Sequence, residues 1–319
     1  MKKNLPQHRW VSLWRHFYDC EQTVEQLTTS MIEWQEKWQW DFLKLNPPAC
    51  YHVLDWGAKY EFFDDETHEP ELRQPVIRRA EDIERIGILD PTKGALGEQL
   101  KVTRNLREHF GKDLPILQTI FAPIEIAHRL MSGRESLDAL RKSAPDAVQS
   151  LLEKIQKTFL DFALRSLDAG ADGIFFATKW ATCDLMSWSD YEQFGRTHEL
   201  PILNALKDRD ALLVLHVCGE QTYLDKMLNY PVDIFSYDFF AKGVPAPAEV
   251  VRQTGKFVLG GVDPLRLVSD PDSVVQDCKR LAAIDRWLVG PSCVITPEAS
   301  DESIELVKRA SRPQETRKA

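Results

Sequence analysis

No uninterrupted apolar run in this 319-residue chain approaches the roughly 20 residues that a membrane-spanning helix requires. A secretory leader is not expected either: two lysines lie near the start, but Arg15 and His16 break the apolar stretch behind them. Positive charge is in deficit. Forty Lys and Arg against 49 Asp and Glu leave a net charge of −9, and no basic cluster stands out to hold a nucleic-acid backbone or an anionic membrane. Cysteine is sparse, with six residues scattered along a long chain, which fits reduced thiols and a cytoplasmic location better than a disulfide framework. Phosphate-cradling loops are missing: neither G-x-G-x-x-G nor G-x-x-x-x-G-K-[ST] occurs, and Gly260-Gly261 adjoins Asp263-Pro264 instead of opening a helix. No low-complexity linker divides the chain. A single domain over 1–319 is therefore expected, with Ser311 to Ala319 as a charged, frayed tail.

What the sequence does hold is alternation. Short β-branched runs at Leu114 to Phe121, Asp172 to Thr178, Ala211 to Val217, Val232 to Tyr237, Lys256 to Gly261 and Arg286 to Gly290 are each followed by an amphipathic helical stretch. Two further strands are read at Val11 to Phe17 and Asp41 to Leu45, giving eight. Eight strands in β/α alternation predict a (β/α)₈ TIM barrel within the α/β class; a doubly wound open sheet is the alternative, and it lacks its glycine fingerprint. Between the second and third strands, Tyr51-His-Val-Leu-Asp55 and Tyr60-Glu-Phe-Phe63 suggest an inserted hairpin or helical segment over the mouth. Ser143-Ala-Pro-Asp146 should cap a helix that Gly170 stops, and Ser189-Asp-Tyr-Glu192 has the pattern of a capping box.

The sharpest local feature is Leu-Val-Leu-His216-Val-Cys218-Gly219-Glu220, at the carboxyl end of the fifth predicted strand. Residues two apart on a strand share a face, so the imidazole and the thiol point together. Trp287-Leu-Val-Gly-Pro-Ser-Cys293 delivers a second thiol at the end of the eighth. In a barrel these ends form the reacting face, where His, Cys and Cys supply three of the four tetrahedral ligands of zinc and leave one position open. The plainer alternative is that buried cysteines simply pack. Glu220 is a candidate for a fourth, weakly bound ligand. Asp238 and Asp263, at the ends of the sixth and seventh strands, are candidates to hydrogen-bond His216 or to hold substrate, or else to cap helices. Arg15 and His16 are placed to grip an anionic substrate tail, and Lys179 and Trp180 to line the pocket.

These residues give the chain a resemblance to the uroporphyrinogen decarboxylase superfamily, and within it to the methylcobamide:thiol methyltransferases. The resemblance runs from about Val11 to Ala310 and is carried by Ala169-Gly-Ala-Asp-Gly-Ile174, His216-Val-Cys-Gly219, Val232-Asp-Ile-Phe-Ser236 with Asp238, Gly260-Gly-Val-Asp-Pro264 and Gly290-Pro-Ser-Cys-Val-Ile-Thr-Pro297. It implies catalytic zinc on His216, Cys218 and Cys293, a corrinoid such as methylcobalamin as methyl donor or acceptor, a small-molecule thiol, and a corrinoid carrier protein as partner. An oligomer is compatible with these features. Two departures stand out. The decarboxylases carry Arg-Gln-Ala-Gly-Arg at the first strand, where this chain has Trp14-Arg15-His16-Phe17, so one arginine remains to meet a polycarboxylate. The methyltransferases commonly place glycine after the last zinc cysteine, where this chain has Val294. Tetrapyrrole decarboxylation is thus the alternative activity, and a non-catalytic corrinoid- or tetrapyrrole-binding barrel the third reading.

Overall fold

The computed structural model describes residues 5–312. It contains nine strands: β1 (Leu43–Leu45), β2 (Lys59–Glu61), β3 (Glu71–Gln74), β4 (Ile116–Phe121), β5 (Gly173–Thr178), β6 (Leu212–Val217), β7 (Ile234–Tyr237), β8 (Phe257–Val262) and β9 (Trp287–Pro291). Seven of them form one sheet in the order β1-β4-β5-β6-β7-β8-β9, with every pairing parallel. The remaining two, β2 and β3, make a small antiparallel hairpin. Sequential parallel neighbours with helices between them give a curled, TIM-like α/β fold. No helix among the described residues is long and apolar enough to cross a membrane.

The first predicted strand, Val11 to Phe17, shrinks to a single bridge. Val11 pairs in parallel with Val289 of β9, and its carbonyl accepts the Asp41 N–H at 3.2 Å on the other side. Beyond Ser12 the chain lifts away. The Trp14 carbonyl accepts from Ile295 N–H at 3.0 Å, past the end of β9, so no ladder continues. The expected hairpin is also displaced. Tyr51–Leu54 is a short helix whose Tyr51, His52 and Val53 are buried, and the second arm of the hairpin is Glu71–Gln74 instead. Its connecting loop is tied to the amino-terminal segment, with Arg15 on Glu66 at 3.1 Å and the Tyr18 hydroxyl on Glu69 at 3.0 Å.

Strand faces explain the long apolar runs. Leu212 and Val214 of β6 join the inner cluster with Phe175, whereas Leu213 and Leu215 join the outer layer beneath the helices, so both faces of the strand are buried. The same alternation places His216 on the inner face. Outside, helix Pro145–Asp168 buries Val148, Leu151, Leu152, Ile155, Phe159 and Phe162, each worth roughly 1.5–3 kcal/mol of transfer free energy. Its start corrects the expected cap: Ser143 bonds back to the Ala139 carbonyl at 2.9 Å, and Ala144 precedes Pro145 with no side-chain cap. Gly170 follows its end at φ +114°, a left-handed conformation suited to glycine. The second expected cap moves upstream, since Ser187, not Ser189, accepts the Asp190 N–H at 3.2 Å. The Asp172-Gly173 pair is structural. Asp172 pairs with Arg107 and accepts the Ile116 N–H at 2.8 Å, and any Cβ on Gly173 would collide with the Leu212 carbonyl. At the far end, helix Asp301–Ser311 runs through the start of the expected tail, and 313–319 lie outside the described residues.

Candidate metal centre

His216 is the fifth residue of β6, and Cys218 follows its last residue. Cys293 lies two residues past the end of β9. The curled sheet brings these ends together: one imidazole nitrogen and the two sulfurs lie within 4.8 Å of one another. Register then orients the imidazole. His216 stands opposite Ser236 in the β6–β7 ladder, and its Nδ1 lies 3.1 Å from the Ser236 hydroxyl, which leaves Nε2 to serve as a ligand atom. Phe175 stacks on the ring at 5.4 Å. The loop carrying Cys293 is fixed in turn, because the Trp14 indole N–H donates to the Cys293 carbonyl at 2.6 Å.

The two sulfurs lie side by side and are shifted in opposite directions. A hydrogen bond from the Cys218 thiol, followed by those from His216 and the charge of Lys44, holds Cys293 well below the usual thiol range. The same bond to Cys293, reinforced by burial, pushes Cys218 up. Two cysteine sulfurs and an imidazole are a donor set suited to zinc, which takes sulfur as thiolate and would release thiol protons on binding.

A cavity of about 280 Å³ opens directly onto these residues. Its wall includes His16, Lys44, Asn46, Glu69, Glu125, Arg129 and Lys179. Lys44 escaped the sequence reading. It is buried on β1, donates to Asn46 Oδ1 and lies over the rings of Phe175 at 4.7 Å and Trp14 at 5.5 Å. Burial lowers its pKa to about 7 despite the nearby Cys293. Glu125 and Arg129, on the helix that follows β4, were missed as well; they pair at 3.1 Å. A charged residue between two leucines in Leu43-Lys44-Leu45 was the available signal for Lys44. Ser236 closes the Val232-Asp-Ile-Phe-Ser236 motif, but its place beside His216 follows from register and from the hydrogen bond between them.

Several predicted residues lie elsewhere. Arg15 is not on the cavity wall but pairs with Glu66, while His16 does line it, with Nδ1 3.2 Å from Glu21 and its ring stacked on Tyr18. Lys179 lines it too. Trp180 does not: it is buried and donates to Glu125 at 2.9 Å. Asp263 caps helix Pro264–Ser269 through the N–H groups of Leu265 and Arg266, and Asp238 accepts the Phe240 N–H, so neither hydrogen-bonds His216. Glu220 is exposed and stands outside the three-ligand group, because Gly219, at φ +103°, turns the chain away after Cys218.

A curled parallel sheet with a sulfur-rich candidate metal centre at its carboxyl edge defines a TIM-like α/β protein of enzymatic type. The chain belongs to the uroporphyrinogen decarboxylase (URO-D) family, whose model matches residues 5–312. It is 25% identical over 242 residues to the methylcobamide:CoM methyltransferase MtbA of Methanosarcina acetivorans, covering 74% of this chain and 70% of that protein. Over 268 residues it is 24% identical to a uroporphyrinogen decarboxylase of Synechococcus sp., covering 80% and 74%. A solved methyltransferase structure from Methanosarcina mazei matches with a TM-score of 0.83 over 96% of this chain and 94% of that one, at 18% identity, which is a likeness of fold.

Proposed function

We propose that this protein is a zinc-dependent methyltransferase that moves a methyl group between a corrinoid and a small thiol. Its single domain is a (β/α)₈ barrel in which the Val11 segment takes the eighth strand position. The observation that carries this reading is the convergence of one imidazole nitrogen and two cysteine sulfurs within 4.8 Å at the edge of a cavity. His216, Cys218 and Cys293 would hold the metal and leave one position for a substrate thiol. Zinc bound there lowers the pKa of such a thiol, so that thiolate is available at neutral pH. The chain's own residues do the rest. Ser236 fixes the imidazole, Trp14 fixes the Cys293 loop, and the buried Lys44 favours negative charge on sulfur. In the transfer the methyl group leaves cobalt for sulfur, cobalt keeps the bonding electron pair, and the thiol proton passes to solvent. A corrinoid carrier protein is the natural donor.

Charge supports this reading over decarboxylation of a porphyrinogen. Arg15 is spent on Glu66, Arg129 is matched by Glu125, and Glu69 stands on the cavity wall. Neither arginine is left without a carboxylate partner to clamp the several carboxylates of such a ring. Decarboxylases among the relatives keep that activity as the second reading. Zinc-loaded protein incubated with methylcobalamin and a panel of small thiols should consume methylcobalamin and yield methylated thiol, while uroporphyrinogen stays intact. Coproporphyrinogen formed with no loss of methylcobalamin would overturn the assignment.

A further inference from the structure

We propose that the end of the sheet opposite the candidate metal centre holds a second binding site, for a small molecule carrying a diphosphate group. A cavity of about 590 Å³ opens where the chain enters β7, β8 and β9: Asp233, Lys256 and Arg286 immediately precede these strands, and all three line it. The stretch that runs into and along helix Thr197–Asp208 adds Arg196, Asn204 and Lys207 to the wall. Cys218 and Cys293 lie at the carboxyl ends of the same sheet and line the other cavity, so a ligand here touches no residue of the methyl-transfer reading.

Charge defines the ligand. Arg196, Lys207, Lys256 and Arg286 share the wall with one carboxylate, Asp233, so four cations less one anion leave an excess of three positive charges. That excess stands against a net charge of −9 for the whole chain, and it forms no cluster in sequence because the four cations are spread over 90 residues (286 − 196). Local pairing does not remove it. Among the described residues Lys207, Lys256 and Arg286 have no carboxylate within ion-pair distance, and Arg196 reaches Glu192 only at 3.8 Å. Asp233 accepts the Leu213 N–H at 2.9 Å. The cations are also held in place. Lys256 donates to the Tyr230 carbonyl at 2.6 Å, while the guanidinium of Arg196 lies 5.8 Å from the Tyr230 ring and that of Arg286 5.2 Å from the Phe257 ring.

Two features are unfavourable for the fold alone. Arg286 enters β9 in the left-handed conformation, at φ +58°, a position that glycine or asparagine fills with less strain. Lys256 is half-buried beside a like charge: burial lowers its pKa, Asp233 opposes the shift and Lys207 adds to it. Arg196 ends a π turn, Glu192–Arg196, a rare helix form that recurs at functional sites. A bound polyanion relieves the repulsion and engages both arginines. A diphosphate group carries about three negative charges near neutral pH, and its oxygens suit guanidinium and ammonium donors. A lone carboxylate would leave two of the excess charges unmatched. Pockets for drug-sized ligands run to roughly 300–1,000 Å³, a range that includes this cavity and exceeds what a bare diphosphate fills, so a diphosphate ester is the better fit.

The test is calorimetric titration of the full chain with ADP and with inorganic pyrophosphate, free of magnesium and at about 0.15 M chloride. Three proteins are compared: the wild type, a Lys207→Gln/Arg286→Asn variant, and a Lys101→Gln/Lys112→Gln control that removes two exposed lysines from elsewhere on the surface. Circular dichroism checks that all three are folded. The wild type should bind ADP more tightly than pyrophosphate, the variant should lose about tenfold in affinity for each cation removed, and the control should match the wild type. Pyrophosphate bound as tightly as ADP, and lost in the variant, would keep the diphosphate site and make free diphosphate its ligand. A wild type that binds neither probe, a folded variant that binds as the wild type does, or an equal loss in the control overturns the site.

Discussion

Replacing Lys44 by methionine should make the metal-free protein more stable in acid and neutral solution. Lys44 is buried, and its only hydrogen-bond partner among the described residues is the neutral side chain of Asn46. Burial lowers its pKa from 10.5 to about 7. At about 1.36 kcal/mol per pH unit, that difference corresponds to a ceiling of about 5 kcal/mol. The folded value lies below the unfolded one, so the penalty for burying the charge is present in full below pH 7. It is relieved as pH rises from 7 towards 10.5, because the folded protein then holds lysine neutral at less cost. Relaxation and water entry reduce the ceiling, and we expect about 2 kcal/mol at pH 6, or roughly 4 °C in Tm. The assay is thermal denaturation of reduced, chelator-treated wild type and Lys44→Met between pH 6 and 10. A gain that shrinks with rising pH agrees with the reasoning; no gain at pH 6, or one of constant size to pH 10, refutes it.

Other outcomes follow from the same contacts. Purified without chelator, the protein should carry about one zinc per chain, and Cys218→Ala and Cys293→Ala should each lose the metal while keeping the circular dichroism of the folded protein. The core residue Cys278, replaced by alanine, should keep the metal; unfolding of both ligand variants would make those thiols structural. Glu199 accepts from the hydroxyls of Tyr191 at 2.7 Å and Tyr230 at 2.9 Å in a fully buried site. Glu199→Ala should therefore cost about 2–4 kcal/mol in urea denaturation by stranding two phenols, and Glu199→Gln less than half of that. Equal losses would show that packing, not the hydrogen bonds, is what matters there.

The parts of this protein that can be read from sequence are those whose pattern is local. β4 to β9 announce themselves as short apolar runs because both faces of each strand are buried. His216 and Cys218 share a face by simple alternation, and their strand-end position follows from the glycine after them. Features that depend on partners distant in sequence stay hidden. Val11 is held by β9, some 280 residues away, and the pattern of its neighbours overstated its strand. Tyr51 to Leu54 alternates no more clearly as strand than as helix, and the segment is a short helix with Tyr51, His52 and Val53 buried. Arg15 looked free because Glu66 lies in an inserted loop, and Asp263 could be read either as a substrate or His216 partner or as a helix cap, because an aspartate before proline at a strand end fits both; the structure shows the cap. Ser236 and Lys44 reach the centre only through strand register and curl.

The separation of the two cysteines along the chain bears on how the molecule is made. Cys218 and Cys293 are 75 residues apart (293 − 218), and β7, β8 and their helices lie between them. On the proposed reading, a complete ligand set exists only after β9 has docked and the Trp14 indole has caught the Cys293 loop. Until Cys293 has been added, the growing chain offers no more of this candidate set than His216 and Cys218. Ion uptake would then belong to the end of folding, and an ion bound by the closed site would draw the equilibrium towards the finished fold as its free concentration rises.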